Sequence, residues 1–359
     1  MDRPSCTPDL TDNAIAISVD EDLLKSAELG TNMVSYLIRR VLLIIPTLVL
    51  ISVLSFIIME APPGDFVTAY IEAEMQAGSV GLDTVEDELR RQWGLDQPLY
   101  VRYLKWVSNL SRGNLGYSLY WRAPVKEIIA ARFLTSMSIS LSATLFVWLV
   151  GFPIGIYSST HQYSVSDRLW SLVGFLGLSI PDFLLALILM YSGSVLFGLS
   201  IGGLFSAQYL RAAWSIGKVI DLLQHVWIPI IVIGTAGTAG LIRIIRANLL
   251  DELGKSYVEM ARSKGLSERR LVLKYPVRIA INPFISSIGW VLPGMISGEV
   301  IVSVVLGLPT AGPIFLRALR MQDMQLAGAY LILISVFTVV GVLLSDILLA
   351  IVDPRIRYA

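Results

Sequence analysis

Val226-Trp-Ile-Pro-Ile-Ile-Val-Ile-Gly-Thr-Ala-Gly-Thr-Ala-Gly-Leu-Ile-Arg-Ile-Ile245 is an apolar run interrupted by one charge, Arg243. As a helix of about 20 residues rising ~1.5 Å each, it spans ~30 Å, the thickness of a bilayer's hydrocarbon core. Five further blocks of similar character lie at about Tyr36–Met59, Phe133–Tyr157, Leu169–Phe197, Pro283–Leu306 and Leu326–Val352. The whole chain of 359 residues is 55% apolar and only 16% charged, with a mean hydropathy of +0.68. A water-soluble chain of this length needs far more charge to cover its surface. The expected fold is therefore an all-α integral membrane protein with six transmembrane helices. Prolines 46, 153, 181, 229 and 293 fall inside these spans, where neighbouring helices can re-satisfy the carbonyls they leave open.

Basic residues in the short loops set the expected orientation. Downstream of the quoted run stand Arg246, Lys255, Arg262, Lys264, Arg269, Arg270, Lys274 and Arg278, whereas the loops at 199–222 and 307–325 carry only Arg211, Lys218, Arg317 and Arg320. The basic loop, 247–282, is thus expected in the cytosol. Six spans then put both termini there, in agreement with Arg39 and Arg40 at one end and Arg355 and Arg357 at the other. Residues 1–33 are acidic (Asp9, Asp12, Asp20, Glu21, Asp22, Glu28), unlike the basic start of a signal peptide. They are expected to form a disordered cytosolic tail, and Met33 is a second candidate for the natural start. The first span, 34–59, leads into an external segment, 60–132. In that segment Val85–Trp93 and Leu99–Leu110 read as amphipathic helices separated by Gly94 and Pro98, with Tyr103, Trp106, Val107 and Leu110 on one face. The segment reads either as a cap over the outer loops or as a dock for an external protein, and the two are compatible. A five-helix core, 133–352, and a cytosolic end, 353–359, complete the chain.

Several functions are disfavoured by what is present. Net charge is formally zero, so no basic signature of nucleic-acid binding exists. The single cysteine, Cys6, has no internal disulfide partner. His161 and His225 are the only histidines, which makes a histidine metal site improbable. Both are expected to be solvated, His161 in a cytosolic loop and His225 at an outer helix end. Neither has an obvious Ser or Asp partner at helical spacing, and there is no Gly-x-Ser-x-Gly elbow, so an intramembrane hydrolase is disfavoured. No Gly-x-x-x-x-Gly-Lys-Ser/Thr loop occurs, so energy for any ATP-driven work must come from a partner.

The basic loop has an organisation of its own. Ser256-Tyr-Val-Glu-Met-Ala-Arg-Ser-Lys-Gly265-Leu-Ser-Glu-Arg-Arg-Leu-Val-Leu-Lys274 places good helix formers over Tyr257–Lys264, a glycine stop at Gly265, and Ser267 as N-cap of a second short helix. The expected product is a helix–turn–helix elbow that exposes Glu259 and Arg262 and packs Val258, Ala261 and Leu266. On composition alone this is either a mechanical contact for a cytosolic partner or a basic loop against anionic headgroups.

The run resembles the EAA loop of ABC-importer permeases, Glu-x-Ala-x-x-x-Gly with a later proline, here Glu259, Ala261, Gly265 and Pro283. Further similarity to the dipeptide/oligopeptide type lies in Tyr36-Leu-Ile-Arg-Arg-Val-Leu-Leu-Ile-Ile-Pro46-Thr, Trp93-Gly-Leu-Asp-Gln-Pro98-Leu-Tyr-Val-Arg-Tyr-Leu and Arg112-Gly-Asn-Leu-Gly-Tyr-Ser118. Ser179-Ile-Pro181-x-Phe183 and Asp353-Pro-Arg-Ile-Arg-Tyr358 add to it. Together these cover nearly all of residues 34–358. The chain departs from the pattern at Met260, at Tyr275-Pro276-Val277 and at Leu308-Pro-Thr-Ala-Gly-Pro313, the last on the outer side. Pro276 is expected to end the second elbow helix early.

The resemblance implies a type I importer permease, not itself an enzyme and without a cofactor of its own, in the prokaryotic inner membrane. It implies a second related permease, two ATPase subunits that bind ATP, an external solute-binding protein and surrounding lipid as partners, and no nucleic acid. Tyr257, Glu259, Ala261, Arg262, Gly265 and Leu266 would form the ATPase-coupling elbow. The solute would be a di- or oligopeptide, with oligosaccharides, nickel, opines or glutathione as alternatives. Asp182 and Glu299 stand inside apparent spans, where an unpaired charge costs roughly 2.5–3.5 kcal/mol. Each is a candidate for the translocation pathway or for a partner on a neighbouring helix. An ion-driven secondary transporter would also place such residues there, but it leaves the elbow unexplained. Asp346 fits a structural position near the inner end of the sixth span.

Overall fold

The computed structural model describes residues 39–40, 42–61, 83–118, 120–198, 202–285 and 300–352, together with isolated positions between 64 and 75. The acidic tail 1–33, the middle of the fifth span with Glu299, and the end 353–359 lie outside the described residues. Thirteen helices are labelled among those described. Helix α1 is Leu42–Glu60. Two helices follow, α2 (Asp83–Trp93) and α3 (Leu99–Ser111), then a two-residue antiparallel ribbon of β1 (Tyr117–Ser118) and β2 (Ala123–Pro124). The core consists of α4 (Val125–Thr160), α5 (Val165–Ser179), α6 (Asp182–Phe197) and α7 (Ile216–Leu253). The elbow helices are α8 (Ser256–Ser263), α9 (Glu268–Lys274) and α10 (Pro276–Ala280). The chain continues with α11 (Val300–Val305), α12 (Ala311–Arg320) and α13 (Met324–Val352).

Helices α1, α4, α7 and α13 are each long and apolar enough to cross a bilayer. They agree with the first, second, fourth and sixth expected spans, and α4, α7 and α13 run longer than expected, because helices continue past the hydrocarbon wherever polar ends find partners. The third expected span differs. It is two helices, α5 and α6, bent by 102° at a break of two residues. The cause is local. Pro181 has no N–H to donate and pushes the residue before it out of the helical region; Ile180 accordingly sits at φ −86°, ψ 120°. Pro153 and Pro229, by contrast, lie within unbroken α4 and α7. Asp182, expected near mid-span, therefore opens α6 at the break. The segment 307–325, expected as an outer loop, contains α12. Its first amide, Ala311 N–H, donates to Ser136 Oγ of α4 at 2.8 Å.

The centre of the molecule is the pair α4 and α7. Missing side chains on one helix receive large ones from the other. A Cβ on Gly151 would lie 2.9 Å from Leu241, one on Gly155 3.0 Å from Ile245, one on Gly234 2.6 Å from Phe146, and one on Gly237 3.1 Å from Val147. Between membrane helices, where lipid tails are as apolar as the side chains, such close approach is the main source of association. The contacts advance together along both helices, so α4 and α7 run parallel. The bent pair α5–α6 must then return the chain from the end of α4 to the start of α7. Gly177 of α5 packs on Thr235 and Ala239, midway along α7.

Three apolar clusters lie along this axis. One joins Ile139, Ala186, Ile228, Val232, Val302 and Leu306. A second joins Met59, Trp106, Val125, Ile129, Ala318 and Leu326. The expected apolar face of α3 is thus realised, with Tyr103, Val107 and Leu110 packed against this second cluster. The third joins Leu249 to the elbow through Val258, Leu271, Val272 and Val277.

Polar pairs fasten the ends. Arg246 of α7 donates two bonds of 2.8 Å to the Asp167 carboxylate, which also accepts from Tyr163 N–H at 2.9 Å. This clamps the start of α5 to α7. Arg40 and Asp346 pair at 2.5 Å, joining the entry of α1 to α13. Buried Asp323 bonds Ser118, tying the ribbon to the start of α13. His225, expected to be solvated and without an Asp partner at helical spacing, is buried and has one, Asp221, four residues earlier; its Nδ1 lies 2.7 Å from the Asp221 carbonyl oxygen and 3.8 Å from the Asp221 carboxylate. The reason is that α7 begins ten residues before Val226, and the loop before it folds over that end, with Asp221 accepting from Ser206 N–H and Oγ at 2.8 and 2.5 Å. His161 lies in an exposed turn, stacked on Tyr157.

Two outcomes test this packing. Gly155→Val is expected to destabilise the chain by about 1–3 kcal/mol through overpacking. Gly174→Val, where a Cβ meets nothing within 4 Å, should leave unfolding by SDS titration in mixed micelles little changed. Arg246→Ala should cost about 3 kcal/mol in the same assay, the lower end for breaking a buried pair, since 26% of its side chain is exposed. In an Asp167→Asn background the same change should cost much less, as the coupling of a direct pair requires.

Candidate functional site

The elbow forms as its residues dictate. Helix α8 ends at Ser263; Lys264 closes the turn, and Gly265 takes φ +76°, a left-handed value that costs a side-chain-bearing residue energy. Ser267 stands extended at the N-cap of α9, although its hydroxyl makes no capping bond. The turn is instead braced by Arg262, whose Nε and Nη2 donate to Glu268 Oε1 and Oε2 at 2.5 and 3.2 Å. That fork holds the Glu268 carboxyl below its ordinary range. A group shifted this way contributes above the unfolded Glu value of about 4.3 and loses its contribution as pH falls through the lower folded value. The brace is thus complete at neutral pH. Helix α9 ends at Lys274, and Pro276 opens α10 at its first position, the early stop expected from that proline.

What gives the elbow its stiffness is its root. Val258 and Leu271, one from each elbow helix, are fully buried with Leu249 of α7, and Tyr257, Ala261 and Leu266 pack around them. Next to this cluster the buried Glu252 carboxylate at the end of α7 accepts from Tyr257 Oη at 2.6 Å and from Lys255 Nζ at 2.5 Å. Burial, and then the Glu252 hydrogen bond, push the Tyr257 phenol well above its ordinary value. Tyr257 therefore remains a neutral donor at any physiological pH. Glu259 and Met260 face outward, so the elbow offers a carboxylate beside an exposed thioether while its opposite side is locked to α7.

Of the six expected elbow residues, the structure brings Tyr257, Ala261 and Leu266 to the root. Arg262 and Gly265 lie at the turn, and Glu259 on the outer face. Sequence reasoning missed Leu249, Glu252, Leu271 and the Arg262–Glu268 fork. The spacing of Glu252 to Lys255 and Tyr257, three and five residues on, carried a signal for the second of these. Asp182 lies far from this group along the chain, at the first turn of α6, half-buried beside the break. There its charge favours the helix's own N-terminus. Glu299 lies outside the described residues.

Comparison with known proteins agrees with this architecture. Residues 151–358 match the model of the binding-protein-dependent transport system inner membrane component, and residues 33–140 match the N-terminal membrane component of the same systems. The oligopeptide transport system permease protein AppB of Bacillus subtilis (strain 168) is 36% identical over 328 residues, covering 91% of this chain and 100% of that protein. The glutathione transport system permease protein GsiC of Escherichia coli (strain K12) is 31% identical over 326 residues, with 91% and 100% covered. A chain from the inward-facing MetNI methionine ABC transporter superposes with a TM-score of 0.46 at 15% identity, over 64% of this chain and 97% of that one, a likeness too distant to carry any residue across. With matches over both its N-terminal and core regions, the chain belongs to the family of binding-protein-dependent transport system inner membrane components.

Proposed function

We propose that this chain is a permease subunit of an ATP-driven importer of short peptides. It would form the pathway with a second, related permease and receive its solute from an external binding protein. Two ATPase subunits would bind and hydrolyse ATP, the chain itself holding no cofactor and catalysing no reaction. The termini and elbow would lie in the cytosol, with α2, α3 and the ribbon outside. The single observation that carries the reading is the rooted elbow. A push on Glu259 or Arg262 cannot be absorbed locally, because Val258, Leu271 and Tyr257 pass it to Leu249 and Glu252 of α7. Helix α7 in turn is locked against α4 by glycine contacts. Motion of a docked ATPase would thus move the central pair of helices as one body.

The peptide assignment follows from the relatives, whose names specify oligopeptides and glutathione. Both are chains of amide-linked amino acids, and that shared chemistry favours peptides over oligosaccharides, nickel or opines. We further propose that Asp182 faces the pathway. It is the one carboxylate at the α5–α6 break, and broken membrane helices commonly border substrate sites.

Uptake of labelled di- to pentapeptides (about two to five residues, within reach of a cavity of roughly 300–1,000 Å³) into proteoliposomes holding the whole complex tests the reading. Wild-type complex should import only with ATP. Gly265→Pro, which removes the Gly265 N–H bond to Arg262 and forbids positive φ, should reduce uptake to the ATP-free level. Glu259→Lys should do the same on a surface that leaves the elbow's packing untouched. Uptake that persists without the ATPase subunits would replace this account with a gradient-driven carrier. Asp182→Asn should lower uptake while the complex assembles and hydrolyses ATP normally; wild-type uptake would remove Asp182 from the pathway.

A further inference from the structure

Helix α3 has three sides with three different fates. One side, centred on Trp106 and Leu110, is packed into the apolar cluster that includes Met59. A second carries Lys105 and Asn109 and borders a cavity of about 210 Å³ of mixed lining, where Lys105 Nζ donates to Gln97 Oε1 at 2.6 Å. The third is apolar and uncovered, with Leu99, Tyr100 and Leu104 exposed by 58%, 68% and 62%. In a helix standing in water such an edge is unfavourable.

The level of α3 along α1 decides what the edge faces. Arg102 pairs with Glu60, the last residue of α1, at 2.6 Å. The next residue, Tyr103, places its hydroxyl 2.8 Å from Ser52 Oγ, eight residues deeper, or ~12 Å down the helix at ~1.5 Å per residue. Between these contacts the Phe56 ring meets Tyr103 and Trp106 with centroids 5.4 and 5.9 Å apart. The α3 helix therefore lies beside the last two turns of a membrane span and not above it. Between the two helices runs a groove of about 360 Å³, lined by Val53, Ile57, Ala61, Leu99, Tyr100 and Tyr103, with Glu60 at its rim. The groove opens onto Leu50, Leu54 and Ile58, which are 59%, 48% and 60% exposed on α1. Those side chains are as apolar as the hydrocarbon that a span of this length crosses.

We propose that the groove between α1 and α3 seats one acyl chain of a phospholipid, in the leaflet at the Glu60 end of α1, and that α3 is an interfacial helix. The groove is continuous with an exposed apolar face of a membrane-spanning helix, its walls are apolar, and Glu60, the one charge among its described lining residues, pairs with Arg102. Those features select a hydrocarbon chain over a peptide, whose backbone amides would find no partners inside. Tyr100 and Tyr103 are residues that favour this depth, with ring in hydrocarbon and hydroxyl toward polar groups. The inference is independent of which solute the complex carries.

The test is photo-crosslinking of the whole complex in nanodiscs of phosphatidylethanolamine and phosphatidylglycerol in equal parts. The photo-reactive residue p-benzoylphenylalanine is placed at Tyr100 or, as a control on the side that carries Lys105, at Asn109. The expected result is the added mass of one phospholipid on the Tyr100 variant and none on the Asn109 variant. Leu104→Asp, outside the packed side of the helix, should remove one retained phospholipid from the mass spectrum of the detergent-extracted complex. Equal lipid labelling at both positions, or an adduct at Tyr100 only to another protein subunit, would overturn the proposal.

Discussion

The contact on which everything else depends is the glycine-mediated approach of α4 to α7. In a bilayer, water does not drive two apolar helices together, and what holds them is how closely their surfaces fit. Gly151 and Gly155 open two adjacent hollows on α4, and Leu241 and Ile245 fill them; Gly234 and Gly237 return the arrangement in the other direction. Because the filled hollows step along both helices in register, the pair resists sliding as well as separation. The parallel sense of the pair also sets the topology between them. A single return crossing is required, and the break at Ile180–Pro181 divides it into two shorter helices that reach the centre from different angles.

The elbow inherits its rigidity from this pair. A short helix of eight residues has little stability of its own in water, and α8 and α9 are shorter than or equal to that. They persist because Val258 and Leu271 are buried against Leu249 and because Glu252 collects the Tyr257 hydroxyl and the Lys255 ammonium. A surface made this way can be recognised by a partner and still pass on force, since its fold is completed by the membrane core and not by the partner.

Much of this was legible in the sequence because its determinants are local. Apolar length identified the first, second, fourth and sixth spans; helix formers followed by Gly265 and an N-cap at Ser267 gave the two elbow helices almost to the residue. What escaped reading depends on contacts between distant segments. Nothing local distinguishes Pro181, which breaks its helix, from Pro153 and Pro229, which do not; the difference is that α4 and α7 are pressed together along their lengths. His225 reads as a solvated residue until the loop at Ser206 folds over it through Asp221. Arg262 reads as a free cation, yet the carboxylate six residues on takes it as a brace. Asp182 reads as a mid-helix charge only while the third span is one helix.

The Arg40–Asp346 pair joins residues 306 positions apart, and this separation has a consequence for how the protein is made. At about 5–20 residues per second, a ribosome finishes Asp346 some 15–60 seconds after Arg40. Throughout that interval the first helix waits in the bilayer with its guanidinium held at the headgroups by its long stem. Only when the last helix arrives can the two ends of the bundle be joined. The pair thus acts as a clasp that closes after synthesis, and a chain truncated within its final helix would leave α1 without this anchor and open to removal by quality-control proteases.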